Sequence, residues 1–176
     1  MKQKIYPSKD RNRPRILVRE AANCDIPLML QIFDEVIKEG VFLGAEKLLP
    51  RHRMDFLDHI KDRKSLTLVA IVDGTIVGNL NVWPTGLHKM KHLREISMLI
   101  VKGYREIGVG TALMDYGLNW ARRKKDIEKI VLGVFSSNKR AYGLYKKFGF
   151  KVEGVLKRQH ILKGKYADEL RMAVFI

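Results

Sequence analysis

The sequence predicts an α/β (α+β) fold, in which a mixed, mostly antiparallel twisted sheet is flanked by about four helices. Three observations lead to this prediction. Apolar residues recur at helical spacing in several segments, short apolar runs typical of strands separate these segments, and Asp73-Gly74 joins two such runs as a tight hairpin turn. A chain of 176 residues can bury a full hydrophobic core as one domain.

Each element follows from its local pattern. A helix begins near Asn23 or Asp25 and ends at Gly40, and a second helix after Pro50 places Met54, Leu57 and Ile60 on one side. The long helix at 108–124 has a buried apolar stripe, and Gly149 ends the compact helix at 138–148. The predicted strands are 16–18, 66–72, 75–83, 94–101, 130–135, 150–162 and 167–176.

Residues 1–14 form a basic segment with little apolar periodicity, which predicts a loose N-terminal tail. The remaining residues, 15–176, are predicted to form a single domain. The formal net charge of +15 favours an anionic partner, such as a nucleic acid or ribosome, an acidic membrane face, or a phosphorylated small molecule. Charge alone does not choose among them.

Several classes are excluded by composition. The single Cys24 cannot form an intrachain disulfide, and no CxxC or HExxH spacing occurs, so no metal site is expected. No apolar run approaches the roughly 18 residues of a membrane span, and the N-terminus lacks the apolar stretch of a signal peptide. We therefore expect a cytoplasmic protein without membrane contact.

The most informative stretch follows the strand at 94–101, where RxxGxG covers Arg105, Gly108 and Gly110 at the start of a helix. Glycines at these positions let backbone N–H groups approach an anion, and the helix N-terminus adds partial positive charge. The chain has no GxxxxGK[ST] P-loop. Leu113 stands where a dinucleotide fingerprint needs its third glycine, so the loop predicts a phosphate site of another kind.

A second motif, NxxAxxLYxxxGF, spans residues 138–150. Together the two motifs resemble the GNAT superfamily of acetyl-CoA-dependent N-acetyltransferases, and the resemblance covers 15–176. It implies a central pair of strands that splay apart, with acetyl-CoA as the only cofactor. It also implies that an acetyl group passes to a primary amine, of a small molecule, peptide N-terminus or lysine, by direct attack in a ternary complex.

The resemblance assigns roles to individual residues. Main-chain groups of Leu99, Ile100 and Val101 would bind the pantetheine arm. Asn138 would also contact pantetheine, and Tyr145 would protonate the departing thiolate. Lys147 is also expected to contact the cofactor. Lys139, Arg140 and Lys146 are expected near the adenosine 3′-phosphate, because they surround the helix that carries Asn138 and Tyr145. The pyrophosphate would lie beside Arg105 on the amides of Glu106, Ile107, Gly108, Val109, Gly110 and Thr111. Glu106 stands where the family commonly has glycine, so its side chain must point outward.

An amine attacks a thioester only when neutral, so a base is needed. The resemblance makes Glu95, on the strand before the loop, the leading candidate, because many members of the family carry a glutamate there that reaches the amine through water. His92 is a second candidate, and Glu35 or Glu39 could contact a cationic substrate. Two other functions also fit the sequence: an acyl-CoA sensor without turnover, and a nucleic-acid or ribosome-associated protein. Of these, binding to nucleic acid is not expected. The motifs do not identify the amine acceptor, and a homodimer is left open.

Overall fold

The computed structural model describes residues 3–6, 14–47 and 49–176. These residues form eight strands and four α-helices around the sheet. The strands are β1 (Gln3–Tyr6), β2 (Ile16–Glu20), β3 (Leu66–Val72), β4 (Thr75–Pro84), β5 (Leu93–Ile100), β6 (Lys129–Phe135), β7 (Lys151–Leu162) and β8 (Lys165–Phe175). The helices are α1 (Ile26–Glu39), α2 (Pro50–Lys61), α3 (Val109–Arg122) and α4 (Lys139–Lys147).

The strands lie in the order β1-β2-β3-β4-β5-β6-β8-β7 in one sheet. Every neighbouring pair is antiparallel except β5 and β6, which run parallel. The predicted hairpin turn Asp73-Gly74 joins β3 to β4, and both of its residues have positive φ. The fold class predicted from the sequence, a mixed and mostly antiparallel sheet with about four helices, is confirmed.

Strands β5 and β6 separate after a short paired stretch. They pair only at Leu93 with Lys129, Arg94 with Ile130, and Glu95 with Val131. Beyond Glu95, β5 stays paired with β4 as far as Ile100, whereas β6 stays paired with β8. The two strands therefore diverge and leave an opening in the middle of the sheet, which confirms the predicted splayed pair.

Helices cover both faces of the sheet. On one face, α3 and α4 pack on the largest apolar cluster, which includes Leu68, Leu113 and Leu132. On the other face, α1 and α2 pack on a second cluster around Met29 and Val69. Because both faces are covered, the central strands are buried on both sides, as the near-continuous apolar sequence of β3 indicates.

The prediction of a loose tail is wrong for residues 3–6. They form β1, an edge strand that pairs antiparallel with β2. Tyr6 Oη donates to Asp115 Oδ2 of α3 at 2.7 Å, and Lys4 Nζ lies 2.8 Å from the same atom. Local periodicity could not show this strand, because its partners are distant in sequence. The other residues of the predicted tail, apart from Pro14, lie outside the described residues.

The stripe predicted for α2 is shifted. Met54 is 56% exposed, whereas Phe56 is buried and packs edge-on against Phe33 of α1, with ring centroids 6.3 Å apart. Leu57 and Ile60 pack at the margin of the same cluster, as predicted. Packing against α1 buries Phe56 instead of Met54, and the pattern of a single helix does not show which residues a neighbouring helix covers.

Arg94 anchors the short parallel pairing. Its side chain is buried, and its guanidinium donates to Asp126 Oδ2 at 2.6 Å. It also donates to three main-chain carbonyl oxygens, those of Lys64, Lys91 and Leu93, at 3.3, 2.7 and 2.9 Å. One side chain thus connects the end of α2, the loop before β5 and the segment that leads into β6.

Replacing Arg94 with Met should lower the free energy of unfolding by about 2–4 kcal/mol, because several carbonyl oxygens lose their donor. Asp126→Asn is the matched control and should cost less than about 1 kcal/mol, because Asp126 is largely exposed. Urea unfolding followed by circular dichroism measures both. Equal losses in the two variants would show that the main-chain contacts of Arg94 do not hold the strands together.

Candidate active site

A cleft of about 1040 Å³ lies where β5 and β6 diverge. The β5 side contributes Glu95, Leu99 and Ile100, and the opposite wall comes from β6, β8 and the final hairpin. The loop before α3 and residues along the whole of α4 border the cleft, and Phe42 and Leu43 after α1 line it as well. Both sequence motifs therefore meet at one opening.

The loop before α3 has the backbone of an anion cradle. Glu106 and Gly108 have φ of 69° and 106°, and α3 begins at Val109. The Ala112 N–H is bonded to the Gly108 carbonyl at 3.0 Å, so the amides of Val109, Gly110 and Thr111 precede the intrahelical hydrogen bonds of α3. Together with the helix dipole, these amides favour a negatively charged group at this end of the cleft.

Glu106 points away from the cradle, as the sequence requires. Its side chain is 71% exposed, and its carboxylate accepts a hydrogen bond from Arg140 Nε at 3.2 Å. The acidic charge is thus paired at the rim instead of facing the amides. A residue other than glycine at this positive φ is strained, and its outward side chain leaves the cradle open.

Arg105 lines the cleft but is already engaged. Its Nε donates to the Ile100 carbonyl at 2.9 Å, Nη1 donates to Glu39 Oε2 at 2.8 Å, and Nη2 bonds the other carboxylate oxygen. The Arg105 hydrogen bond keeps the pKa of Glu39 below its usual range. The geometry therefore directs Arg105 toward α1, and it makes Glu39 a positioning residue for the loop instead of a contact for a cationic substrate.

The remaining predicted cofactor residues divide between the cleft and the core. Val101, Ile107 and Val109 place their side chains in apolar clusters, so only their main chains could contact a ligand. The predicted residues that line the cleft are Glu95, Leu99, Ile100, Arg105, Glu106, Gly108, Gly110, Thr111, Asn138, Tyr145 and Lys147. Lys139 and Arg140 line it too, whereas Lys146 lies over the ring of Tyr142.

The motif at 138–150 forms α4 and its cap. Asn138 Oδ1 accepts from the Ala141 N–H at 3.2 Å, so Asn138 caps the helix while it lines the cleft. Tyr145 is 8% exposed and lies against Phe150, with ring centroids 5.8 Å apart. Burial raises the pKa of Tyr145 to about 12, so the phenol keeps its proton throughout the neutral range.

Glu95 occupies the last paired position before the strands part, opposite Val131 on one side and Trp83 on the other. Its neighbour Ile96 packs in the core under α3, so Glu95 points to the face covered by α1 and α2. Trp83 is held there by stacking on His59, with ring centroids 5.1 Å apart. His92 and Glu35, the other acidic or basic candidates, do not line this cleft.

Sequence reasoning missed a polar cluster on the final hairpin. Glu169 accepts from His160 Nε2 at 2.8 Å and from Arg171 Nη1 at 2.9 Å, and all three line the cleft. Burial opposes ionisation of Glu169, but these hydrogen bonds outweigh it and lower its pKa. The only local signal is Gly133 inside β6, because a glycine within a strand marks a close approach.

Within the described ranges, no group of three or more His, Cys, Asp or Glu side chains is arranged to hold a metal ion. In the same part of the chain, no helix is long and apolar enough to cross a membrane. Cys24 is exposed and forms no disulfide. It lies outside the set of residues that line the cleft.

The model of the Acetyltransferase (GNAT) family matches residues 30–150, which contain both motifs and most of the cleft. The chain belongs to the GNAT acetyltransferase family. An L-amino acid N-acetyltransferase from Escherichia coli is 31% identical over 121 residues, covering 66% of this chain and 72% of that protein. An N-alpha-acetyltransferase from Sulfurisphaera tokodaii is 34% identical over 116 residues, covering 60% and 68%.

Solved structures share the fold over nearly the whole chain. A GNAT acetyltransferase from Streptococcus pneumoniae has a TM-score of 0.82 at 26% identity, covering 92% of this chain and 99% of that one. A phosphinothricin acetyltransferase from Sinorhizobium meliloti, solved with AcCoA, has a TM-score of 0.83 at 18% identity, covering 90% and 87%. The predicted activity is confirmed: this GNAT protein is an N-acetyltransferase that transfers an acetyl group from acetyl-CoA to an amine.

Replacing Gly108 with Ala should weaken acetyl-CoA binding about tenfold or more, because an L-residue at φ of 106° strains the loop and shifts its amides. Gly74→Ala is the matched control. It imposes similar strain at φ of 79° in the β3–β4 turn, where a Cβ meets nothing within 4 Å. Isothermal titration calorimetry measures both affinities. An unchanged affinity in folded Gly108→Ala would remove this loop from the cofactor site.

Proposed function

We propose that the enzyme transfers the acetyl group directly from acetyl-CoA to a primary amine within a ternary complex, with Glu95 as base and Tyr145 as acid. The observation that carries the proposal is that both side chains line the single opening between β5 and β6. Glu95 lies at the apex of this opening, and Tyr145 comes from the helix that closes it. No covalent acetyl-enzyme is required.

The cleft has the features that acetyl-CoA needs. The amides of Val109, Gly110 and Thr111 suit a pyrophosphate, and Lys139 and Lys147, at the two ends of α4, supply cationic side chains to the same cleft. The edge of β5 beyond Glu95 is not paired with β6, so main-chain groups near Leu99 and Ile100 can bind an amide-containing arm. When bound, acetyl-CoA supplies a thioester carbonyl that is open to attack.

Glu95 accepts the proton that the ammonium group of the substrate must lose before its nitrogen can attack. Its carboxylate makes no ion pair with any residue that the structure describes, so it is available for this role. It acts directly or through a water molecule, and in either case it raises the fraction of neutral amine at the reacting position. The neutral amine nitrogen then bonds to the carbonyl carbon and the carbon–sulfur bond breaks. The nitrogen releases its second proton to solvent, and solvent returns a proton to Tyr145 after the thiolate has been protonated.

Tyr145 donates the proton that the departing sulfur takes up. The departing sulfur leaves as a thiolate, and the Tyr145 hydroxyl protonates it. Its raised pKa of about 12 keeps the hydroxyl protonated at the pH where acetyl transfer takes place. Packing against Phe150 holds the ring in place, so removing the hydroxyl alone should leave the position of the ring unchanged.

The comparisons leave the acceptor open, because the relatives include an L-amino acid N-acetyltransferase, an N-alpha-acetyltransferase and a spermidine N(1)-acetyltransferase. A homodimer also stays a prediction. Supporting it, the final hairpin exposes large apolar side chains, among them Val155, Ile161 and Tyr166. A cytoplasmic location remains a prediction from the sequence.

Tyr145→Phe should lower kcat by about 100-fold or more with little change in acetyl-CoA affinity, because it removes the proton donor and keeps the ring. Tyr142→Phe on the same helix is the matched control, since Tyr142 does not line the cleft. Thiol release with a saturating amine gives the rate. A wild-type rate for Tyr145→Phe, where chemistry limits turnover, would assign the proton donor elsewhere.

Glu95→Gln should reduce kcat/KM for the amine by about 100-fold or more near pH 7. Raising the pH should recover part of the loss, because a larger fraction of the amine is already neutral. Glu35→Gln, on the exposed side of α1, should leave the profile unchanged. A pH series of initial rates tests the assignment, and an equal loss at every pH would contradict a role for Glu95 as base.

A further inference from the structure

We infer that Arg171, held in the Glu169–His160–Arg171 cluster, binds the carboxylate of the acceptor, and that the acceptor is a free amino acid. This inference rests on the proposed function, because it supplies the second contact for the amine that Glu95 deprotonates.

The cluster is held rigidly across two strands. Glu169 lies between His160 and Arg171 and accepts one hydrogen bond on each of its carboxylate oxygens. Because an ionised carboxylate only accepts hydrogen bonds, His160 Nε2 is the donor. The ring of Phe135 packs edge-on against His160, with centroids 4.9 Å apart, and this contact fixes the imidazole.

Gly133 makes room for the cluster. A Cβ at this position would lie 2.3 Å from Glu169 Oε1 and 3.2 Å from Arg171 Nη1. The carboxylate and guanidinium therefore lie directly over the backbone of β6. Glycine is unfavourable in a strand interior, so its presence here indicates that the close approach of this ion pair has a use.

The cluster faces the same side of the sheet as Glu95. Along β6, Val131 is opposite Glu95 and Gly133 is opposite Arg171, and residues two apart in a strand share a face. These two positions are separated by about 7 Å along the strand. Arg171 belongs to β8, on the far side of β6 from Glu95, but its guanidinium reaches back over Gly133, so both side chains face the same part of the cleft.

The exposed part of the cluster is cationic. The Arg171 side chain is 45% exposed, whereas Glu169 is 13% exposed and already accepts two hydrogen bonds. In the part of the chain that the structure describes, only Nη1 of Arg171 has a protein partner, so its remaining N–H groups can donate. A planar guanidinium recognises a carboxylate through paired hydrogen bonds, so this is the group that it fits best.

The same cation disfavours other acceptors. A polyamine would place a second ammonium group beside Arg171, and like charges repel. A peptide N-terminus carries a neutral amide where a free amino acid carries its carboxylate, so it would leave the Arg171 donors without an anionic partner. A single amino acid satisfies both ends, with its ammonium at Glu95 and its carboxylate at Arg171.

The test compares amino acids with their own amides, for example leucine with leucinamide and methionine with methioninamide. Rates are expressed per concentration of neutral amine, because the two forms differ in amine pKa. We expect wild type to prefer the acids by about tenfold or more in kcat/KM. Arg171→Gln should lower kcat/KM for the acids by about 10–100-fold and leave the amides nearly unchanged. Arg171→Lys should recover part of this loss.

A binding measurement supplies a second readout. Calorimetric titration of leucine into the complex with CoA should show weaker binding in Arg171→Gln, with the affinity for CoA unchanged. Arg122→Gln removes an equal charge from the exposed end of α3 and should change neither value. Equal losses for acids and amides in Arg171→Gln would overturn the inference.

Two further outcomes are decisive. If wild type acetylates amides as well as acids, the inference fails while the proposed function stands. If it acetylates no amine at all, the proposed function fails. A peptide that begins Leu-Glu, with its C-terminus amidated, tests whether the carboxylate can come from a side chain. Better turnover of this peptide than of leucine would overturn the assignment of a free amino acid.

Discussion

The separation of β5 from β6 is the constraint on which the rest of the structure depends. A central strand normally pairs along both edges, but β5 loses its β6 partner after Glu95 while keeping β4 as far as Ile100. The main-chain groups on its free edge need other hydrogen-bond partners, because unpaired buried groups are costly. Arg94 stabilises the paired end, so the opening has a fixed apex, and Glu95 lies at that apex and lines the cleft.

The electrostatics of the cleft differ from those of the whole chain. Although the net charge is +15, the arginines around the opening are largely paired locally. Arg105 is bonded to Glu39, Arg140 to Glu106, and Arg171 to Glu169. The first pair ties the loop before α3 to the end of α1, which leads into residues that line the cleft. Paired arginines therefore position the walls, whereas Lys139 and Lys147 line the cleft without an ion-pair partner among the described residues.

Patterns that depend on neighbouring residues were predictable. The Asp73-Gly74 turn, the end of α1 at Gly40 and the loop before α3 each require a local backbone conformation that few residues adopt, and the structure has positive φ at those glycines. Patterns that depend on a distant partner were not predictable. Strand β1 forms because it pairs with β2 and because Tyr6 donates a hydrogen bond to Asp115. Phe56 is buried because α1 lies beside α2.

The sequence by itself determined the fold class, the family and the segments that carry chemistry, because turn residues, helix caps and the spacing of glycines act over a few positions. Only the tertiary structure decided which side chains are free to act. Arg105 has the right type and place in its motif, yet Glu39, 66 residues away, engages its guanidinium. Glu169, His160 and Arg171 belong to no motif and meet because β7 and β8 fold back on β6. Contacts between residues far apart in the chain depend on packing, which local pattern does not encode.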